Sequence, residues 1–186
     1  TPRWLPRNLS VPALSDKPDE RFRIEPEHFG VMGESAGGYL TAMAALANNP
    51  AFDVGDYTDY SSRVQAACPW YPPTDISGFP YNSPVEAAAS PESLMLGMNV
   101  MLQKEEALKA CPVSFVTKDA PPFMILHGID DHTVPFGQGE VLHDKLEEAG
   151  CDVRLIAIAG ADHADKQFFQ RETWKWIADF FHEKLG

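Results

Sequence analysis

One serine in this chain stands in a setting that suits a nucleophile. Ser35 lies in Gly33-Glu34-Ser35-Ala36-Gly37-Gly38, at the spacing G-x-S-x-G. A serine hydroxyl attacks a carbonyl only when it is presented clear of the chain and a base removes its proton. A sharp strand-to-helix turn does the presenting, and Gly33 and Gly37 take away bulk where strand and helix close together. The helix that follows points its free N–H groups back at the serine, so the Ala36 N–H is placed to bind a developing oxyanion. The chemistry this implies is acyl transfer. A plain Gly-Ser turn is the bland alternative, and the flanks weigh against it. Apolar Phe29, Val31 and Met32 precede the turn; an Ala/Leu/Met-rich stretch from Tyr39 follows, stopped by Asn48, Asn49 and Pro50.

Such a serine needs a base and an acid delivered by other elements, and the rest of the chain reads as alternating strands and helices. Residues 64–71 form a second short strand ended by Pro72-Pro73. Residues 123–128 are a continuous apolar run, typical of a strand covered on both faces. Residues 153–158 make a fourth. Helical periodicity runs over 136–149, with Val141, Leu142 and Leu146, and Gly150 closes it. A last amphipathic helix is expected from about Asp165 to Leu185, with Phe168, Phe169, Trp174, Trp176, Ile177, Phe180 and Phe181 on its heavy face. Between the second and third strands, residues 76–110 lack a regular pattern, although Ser90-Pro91 marks a helix start. The Met95, Met98 and Met101 stripe there reads as packing. The expectation is one α/β domain over 1–186, with a mostly parallel sheet of about four strands flanked by helices. Residues 1–19 read as a proline-rich arm whose Trp4, Leu5, Leu9, Val11 and Leu14 are too apolar for a free tail.

Composition removes several other functions. A net charge of −12 argues against nucleic acid or an anionic membrane surface as partner. No apolar run approaches the roughly 18 residues that a membrane span needs, and residues 1–10 carry charge and two prolines rather than a leader's apolar stretch. Three cysteines (Cys68, Cys111, Cys151) with no C-x-x-C pair fit a reduced, cytoplasmic setting. No H-x-x-x-H spacing or acid pair suggests a metal site or glycosidase chemistry.

From about residue 24 onward the chain resembles the α/β-hydrolase superfamily. Gly33-Glu34-Ser35-Ala36-Gly37-Gly38 is similar to the elbow of its carboxylesterase, acetyl-xylan-esterase-like and hormone-sensitive-lipase-like branches. The resemblance implies a base just past the fourth strand, which selects His163 in Gly160-Ala161-Asp162-His163. It also implies an acid in a pattern H-G-x-x-D-x-x-V-P. Residues 127–135 match it and select Asp131, with Asp130 as the neighbouring competitor separated only by the Val134-Pro135 spacing. His127, inside the third strand, reads as a structural histidine, and Glu34 as a hydrogen-bonding or salt-bridging group. The family also carries strands and a glycine-rich H-G-G loop before the elbow, and none of the 34 residues preceding Ser35 reads H-G-G. A truncated hydrolase domain is therefore expected, with Ala36 as one oxyanion donor.

The resemblance implies hydrolysis of short-acyl soluble esters by Ser35, His163 and Asp131 through an acyl-enzyme, with no metal or organic cofactor. A serine peptidase like the prolyl-oligopeptidase catalytic domain is the alternative, and a non-catalytic assembly module is a third reading. An uncovered elbow strand is an open sheet edge, so a homodimer, or a second polypeptide covering that edge, is expected as well.

Overall fold

The computed structural model describes residues 27–49, 52, 54, 58 and 61–186. The expected arm over 1–19 lies outside the described residues. Four strands, β1 (Gly30–Glu34), β2 (Ala66–Trp70), β3 (Phe123–Gly128) and β4 (Val153–Ile158), form one sheet in the order β1-β2-β3-β4. All three pairings are parallel. Helix α1 (Ala36–Leu46) follows β1. Three short helices, α2 (Pro84–Ala88), α3 (Pro91–Leu96) and α4 (Lys104–Leu108), fill the long connection from β2 to β3. Helix α5 (Gly137–Glu148) lies between β3 and β4, and α6 (Arg171–Leu185) ends the chain.

Strand alternation sorts the core into two layers, because successive side chains point to opposite faces. Cys68, Trp70, Met124 and Leu126 pack toward Ile177 and Phe180 of α6. Ala67, Phe123 and Ile125 pack toward Ala42 and Leu46 of α1 and Leu142 and Leu146 of α5. That is why β2 and β3 are buried along their whole length, while β1 and β4, which each pair on one side among the described residues, carry exposed positions. A third cluster seats the β2–β3 connection on α1: Tyr39 and Met43 meet Ile76, Val100, Ala107 and Cys111. The Tyr39 hydroxyl also donates to the Ala110 carbonyl at 3.0 Å. Within this connection Ser90 caps α3 by accepting the Ser93 N–H, and Pro91 takes the first turn. The methionine stripe splits. Met98 packs against the third cluster, whereas Met95 stays 42% exposed.

The expected single helix from Asp165 to Leu185 is broken. Residues 166–169 form one 3₁₀ turn, Gln170 is extended at φ −76°, ψ 156°, and α6 starts at Arg171. The reason lies in the phase of the aromatic residues. In a continuous helix at about 100° per residue, Phe168 would face about 180° away from Ile177. Both are buried in the same cluster, so the helix must restart between them. Phe168 then reaches Tyr71 and Trp70, while Phe169, Trp174 and Trp176 remain about half exposed.

Candidate active site

Ser35 stands at the junction of β1 and α1. Its N–H donates to the Trp70 carbonyl at 3.0 Å, which extends the β1–β2 ladder one step past the strand. Its own carbonyl accepts the Tyr39 N–H at 3.0 Å, the first bond of the helix. Between those two bonds the backbone has to reverse, and Ser35 takes φ 53°, ψ −118°. For a residue with a Cβ this conformation costs about 1–3 kcal/mol and persists only where the surroundings enforce it.

The enforcement comes from close backbone approach. A Cβ on Gly33 would lie 2.6 Å from the Gly37 carbonyl oxygen, and one on Gly38 would lie 2.6 Å from the Trp70 carbonyl oxygen. A Cβ on Gly37 would meet nothing within 4 Å among the described residues. The bulk-free position on the helix side is therefore Gly38, where the spacing G-x-S-x-G had indicated Gly37. Gly38→Ala is expected to destabilise the fold by about 1–3 kcal/mol through overpacking against fixed backbone. Gly37→Ala should be neutral or stabilising by up to about 1 kcal/mol from helix propensity. Urea unfolding midpoints of the two variants measure this difference directly.

His163 lies in the loop after β4 and Asp131 in the loop after β3, and the structure brings both to the serine. His163 Nε2 is 2.9 Å from Ser35 Oγ, and His163 Nδ1 is 2.8 Å from Asp131 Oδ2. Burial tends to raise the Asp131 carboxyl. The adjacent His127 Nε2–H, the His163 hydrogen bond and those from the Val134 and Thr133 N–H groups outweigh it and hold the carboxyl below its ordinary value. An ionised carboxylate only accepts, so the His163 proton resides on Nδ1 and Nε2 keeps its lone pair toward the serine hydroxyl. Asp130 is exposed, and its N–H donates to the Ala161 carbonyl at 3.1 Å. Only Asp131 of the two has its carboxylate on His163.

Asp131 is held from the chain side as well. Its Oδ1 accepts the N–H groups of Thr133 at 2.9 Å and Val134 at 2.7 Å. Below it lies His127, fully buried, with Nε2 at 2.9 Å from the Val134 carbonyl and 3.6 Å from Asp131 Oδ2. A carbonyl can only accept, so Nε2 carries the His127 proton; Nδ1 has no partner among the described residues. The expected structural histidine therefore sits directly under Asp131.

Tyr71 is the site residue that sequence patterns did not single out. Its buried ring meets the His163 ring edge-on at 4.6 Å, and its hydroxyl donates to Glu34 Oε2 at 2.5 Å. Glu34 thus has the hydrogen-bonding role expected of it. Tyr71 has φ 35°, and Ala164, next to His163, has φ 56°. Together with Ser35 these are the non-glycine residues of positive φ among the described residues, so backbone strain concentrates around Ser35 and His163. No composition or periodicity marks Tyr71, because its position depends on the turn after β2 folding back under His163.

Ala36 opens α1 and is exposed beside Ser35. It adjoins a cavity of about 80 Å³ lined also by Tyr39, Pro73, Ile76 and Met95. The mouth is supported by a buried amide: Gln138 Oε1 accepts the N–H groups of Thr74 at 2.8 Å and Asp75 at 2.7 Å, tying α5 to the loop that carries Pro73. Among the described residues one group of possible metal ligands occurs, His143, Asp144 and Glu147 on the surface of α5, apart from these side chains. Among the described residues no helix is long and apolar enough to cross a membrane. The three cysteines are free thiols.

Against known proteins, residues 16–146 match the BD-FAE family. The chain is 34% identical over 131 residues to the probable carboxylic ester hydrolase LipM of Mycobacterium tuberculosis, covering 67% of this chain and 29% of LipM. Esterase LipQ of the same organism is 32% identical over 149 residues, covering 75% of this chain and 33% of LipQ. The chain thus spans about a third of the length of these relatives. Among solved structures, a truncated carbohydrate esterase from gut microbiota superposes with a TM-score of 0.84 at 25% identity, covering 95% of this chain and 66% of that one. Esterase 2 of Thermogutta terrifontis shares the fold, with a TM-score of 0.70 at 23% identity over 94% of this chain and 61% of that one. The four-stranded parallel sheet, the strand–Ser35–helix elbow and these likenesses agree: the fold is that of the α/β-hydrolases, and the chain belongs to the BD-FAE family.

Proposed function

We propose that this chain hydrolyses carboxylic esters of short acyl groups through an acyl-serine intermediate. Ser35 Oγ attacks the ester carbonyl while His163 Nε2 takes its proton. Asp131 fixes the His163 tautomer and stabilises the imidazolium, and the Ala36 N–H receives the oxyanion. His163 then protonates the leaving alcohol, and water repeats the sequence to release the acid. The observation that carries this reading is the unbroken hydrogen-bond line from Asp131 through His163 to Ser35. The small cavity beside Ala36, about 80 Å³, is the place assigned to the short acyl group. Turnover of p-nitrophenyl esters from acetate to octanoate tests it. Rates should be highest for acetate to butyrate and fall steeply beyond; a preference for octanoate, or no turnover of any ester, overturns the reading.

A peptidase reading is favoured by a likeness to acylamino-acid-releasing enzymes. Acylamino-acid-releasing enzyme of Rattus norvegicus is 27% identical over 86% of this chain, which spans 22% of that enzyme. An acetyl-alanine anilide cleaved faster than the matching ester would select it.

The same proposal includes association at the β1 edge and a cytoplasmic setting, the latter supported by the free thiols. Among the described residues β1 pairs with β2 alone, and Met32 within it is 40% exposed. A twofold dimer through this side, or a second polypeptide that also brings another oxyanion donor, would cover it. Light scattering should give a mass above the 20.6 kDa of one chain. A monomer at high concentration, unchanged when residues 1–19 are removed, overturns the association.

A further inference from the structure

Asp162 immediately precedes His163 and takes no part in the proton relay, yet its carboxylate spans the gap between the two loops that carry Asp131 and His163. Its Oδ1 accepts the backbone N–H of His132 at 3.0 Å and that of His163 at 2.7 Å. Its Oδ2 lies 3.0 Å from His132 Nδ1. The Asp162 N–H donates to Asp165 Oδ2 at 3.1 Å, which anchors the loop from the other side.

The two peptide groups held by Oδ1 are particular ones. The His132 N–H belongs to the peptide that leaves Asp131, and the His163 N–H belongs to the peptide that enters His163. The side chains of these same two residues meet at 2.8 Å. Hydrogen bonds therefore close a ring, with carboxylate to imidazole on one side and backbone to Asp162 to backbone on the other. Neither loop belongs to a strand or helix at these positions. Backbone bonds from Ile129 N–H to the Ile158 carbonyl at 3.0 Å and from Asp130 N–H to the Ala161 carbonyl at 3.1 Å join the two loops up to Ala161, two residues short of His163, and Ala164 beyond it takes φ 56°.

We propose that Asp162 is a positioning residue, a carboxylate clasp that sets the spacing between the acid-bearing and base-bearing loops and thereby the Asp131–His163–Ser35 geometry. The inference rests on the triad reading under Proposed function. The His132 N–H, then the His163 N–H and the His132 side chain, hold the Asp162 carboxyl down at about 2, so the clasp is ionised wherever the enzyme works. A relay of this kind tolerates little displacement, since misplacing a reacting group by about 1 Å costs on the order of 100-fold in rate.

Two readouts test the clasp, p-nitrophenyl acetate turnover and the far-downfield proton NMR signal of the His163 Nδ1–H bonded to Asp131. Asp162→Ala is expected to lower kcat by about 10- to 100-fold at nearly unchanged KM and to lose the downfield signal. Asp162→Asn keeps an Oδ1 that accepts the same two N–H groups without the charge, and should restore the signal and return kcat to within about threefold of the parent. If Asp162→Ala keeps both signal and rate, or if Asp162→Asn fails as alanine does, the clasp is overturned. Should Asp162→Ala not fold, Asp162→Ser, too short to reach His132, is judged by the same criteria. A parent protein without the downfield signal overturns the clasp independently of turnover. Ester turnover that survives Ser35→Ala instead overturns the proposed function while the NMR comparison still reports on the clasp.

Discussion

Ser35→Ala is expected to remove ester turnover by about 10⁴- to 10⁶-fold and to abolish labelling by a fluorophosphonate probe. The magnitude follows from what the side chain alone supplies. Its hydroxyl is the group in line with His163 Nε2 at 2.9 Å, and an alanine leaves no atom able to form the acyl intermediate. On the proposed mechanism, the oxyanion contribution of the Ala36 N–H and simple binding would survive, together worth about 10³-fold over water. Folding should be little affected. The strained φ of 53° at Ser35 is imposed by the Trp70 and Tyr39 backbone bonds rather than by the hydroxyl, and alanine bears it equally. Mass spectrometry of the labelled protein locates the adduct. An adduct on any other serine, or undiminished turnover in the variant, would refute the nucleophile.

Asp131→Asn should lower kcat by about 10⁴-fold, because an amide in that place can donate to His163 Nδ1 and stabilise the tautomer with its proton on Nε2. Nε2 would then face Ser35 as a donor and could not accept the serine proton. Asp130→Asn should change kcat by less than about twofold, since its side chain is exposed and its bond to the Ala161 carbonyl comes from the backbone N–H. Steady-state kinetics on both variants decides the assignment, and an exchange of their behaviours would overturn it. Activity of the parent should rise with pH as protonated imidazole gives way to the neutral base. Stability has its own pH dependence. Asp131 and Asp162 both titrate below their ordinary values in the folded chain. Their stabilisation is therefore fully present above about pH 4, the unfolded value. It is lost as pH falls through the lowered range in which the folded carboxyls take up protons, which for Asp162 lies at about 2. Urea midpoints between pH 5 and 2 should fall more steeply for the parent than for Asp162→Asn.

Much of the fold is written in short stretches of sequence, because it depends on neighbours in the chain. The apolar run at 123–128 reads as a strand buried on both faces, and it is. Ser90-Pro91 reads as a helix start, and Ser90 caps α3 there. Gly150 reads as a helix stop, and it takes φ 78° just past α5. The elbow is legible for the same reason, since a strand, a reversal and a helix are packed into a dozen residues.

What the sequence could not decide are relations between residues far apart in the chain. Whether Gly37 or Gly38 must lack a side chain depends on where the Trp70 carbonyl lies, 32 residues from Gly38 in the sequence. The helix break at Gln170 follows from Phe168 and Ile177 sharing one core, which a helical wheel assigns to opposite faces. Tyr71 under His163, His127 under Asp131 and Asp162 across two loops are likewise contacts made by the packed sheet. The residue types that could do chemistry were thus determined locally, by backbone conformations that only a few side chains accept. Their distances were not, because those are set by the parallel sheet that brings the loops after β1, β3 and β4 to one end of the molecule.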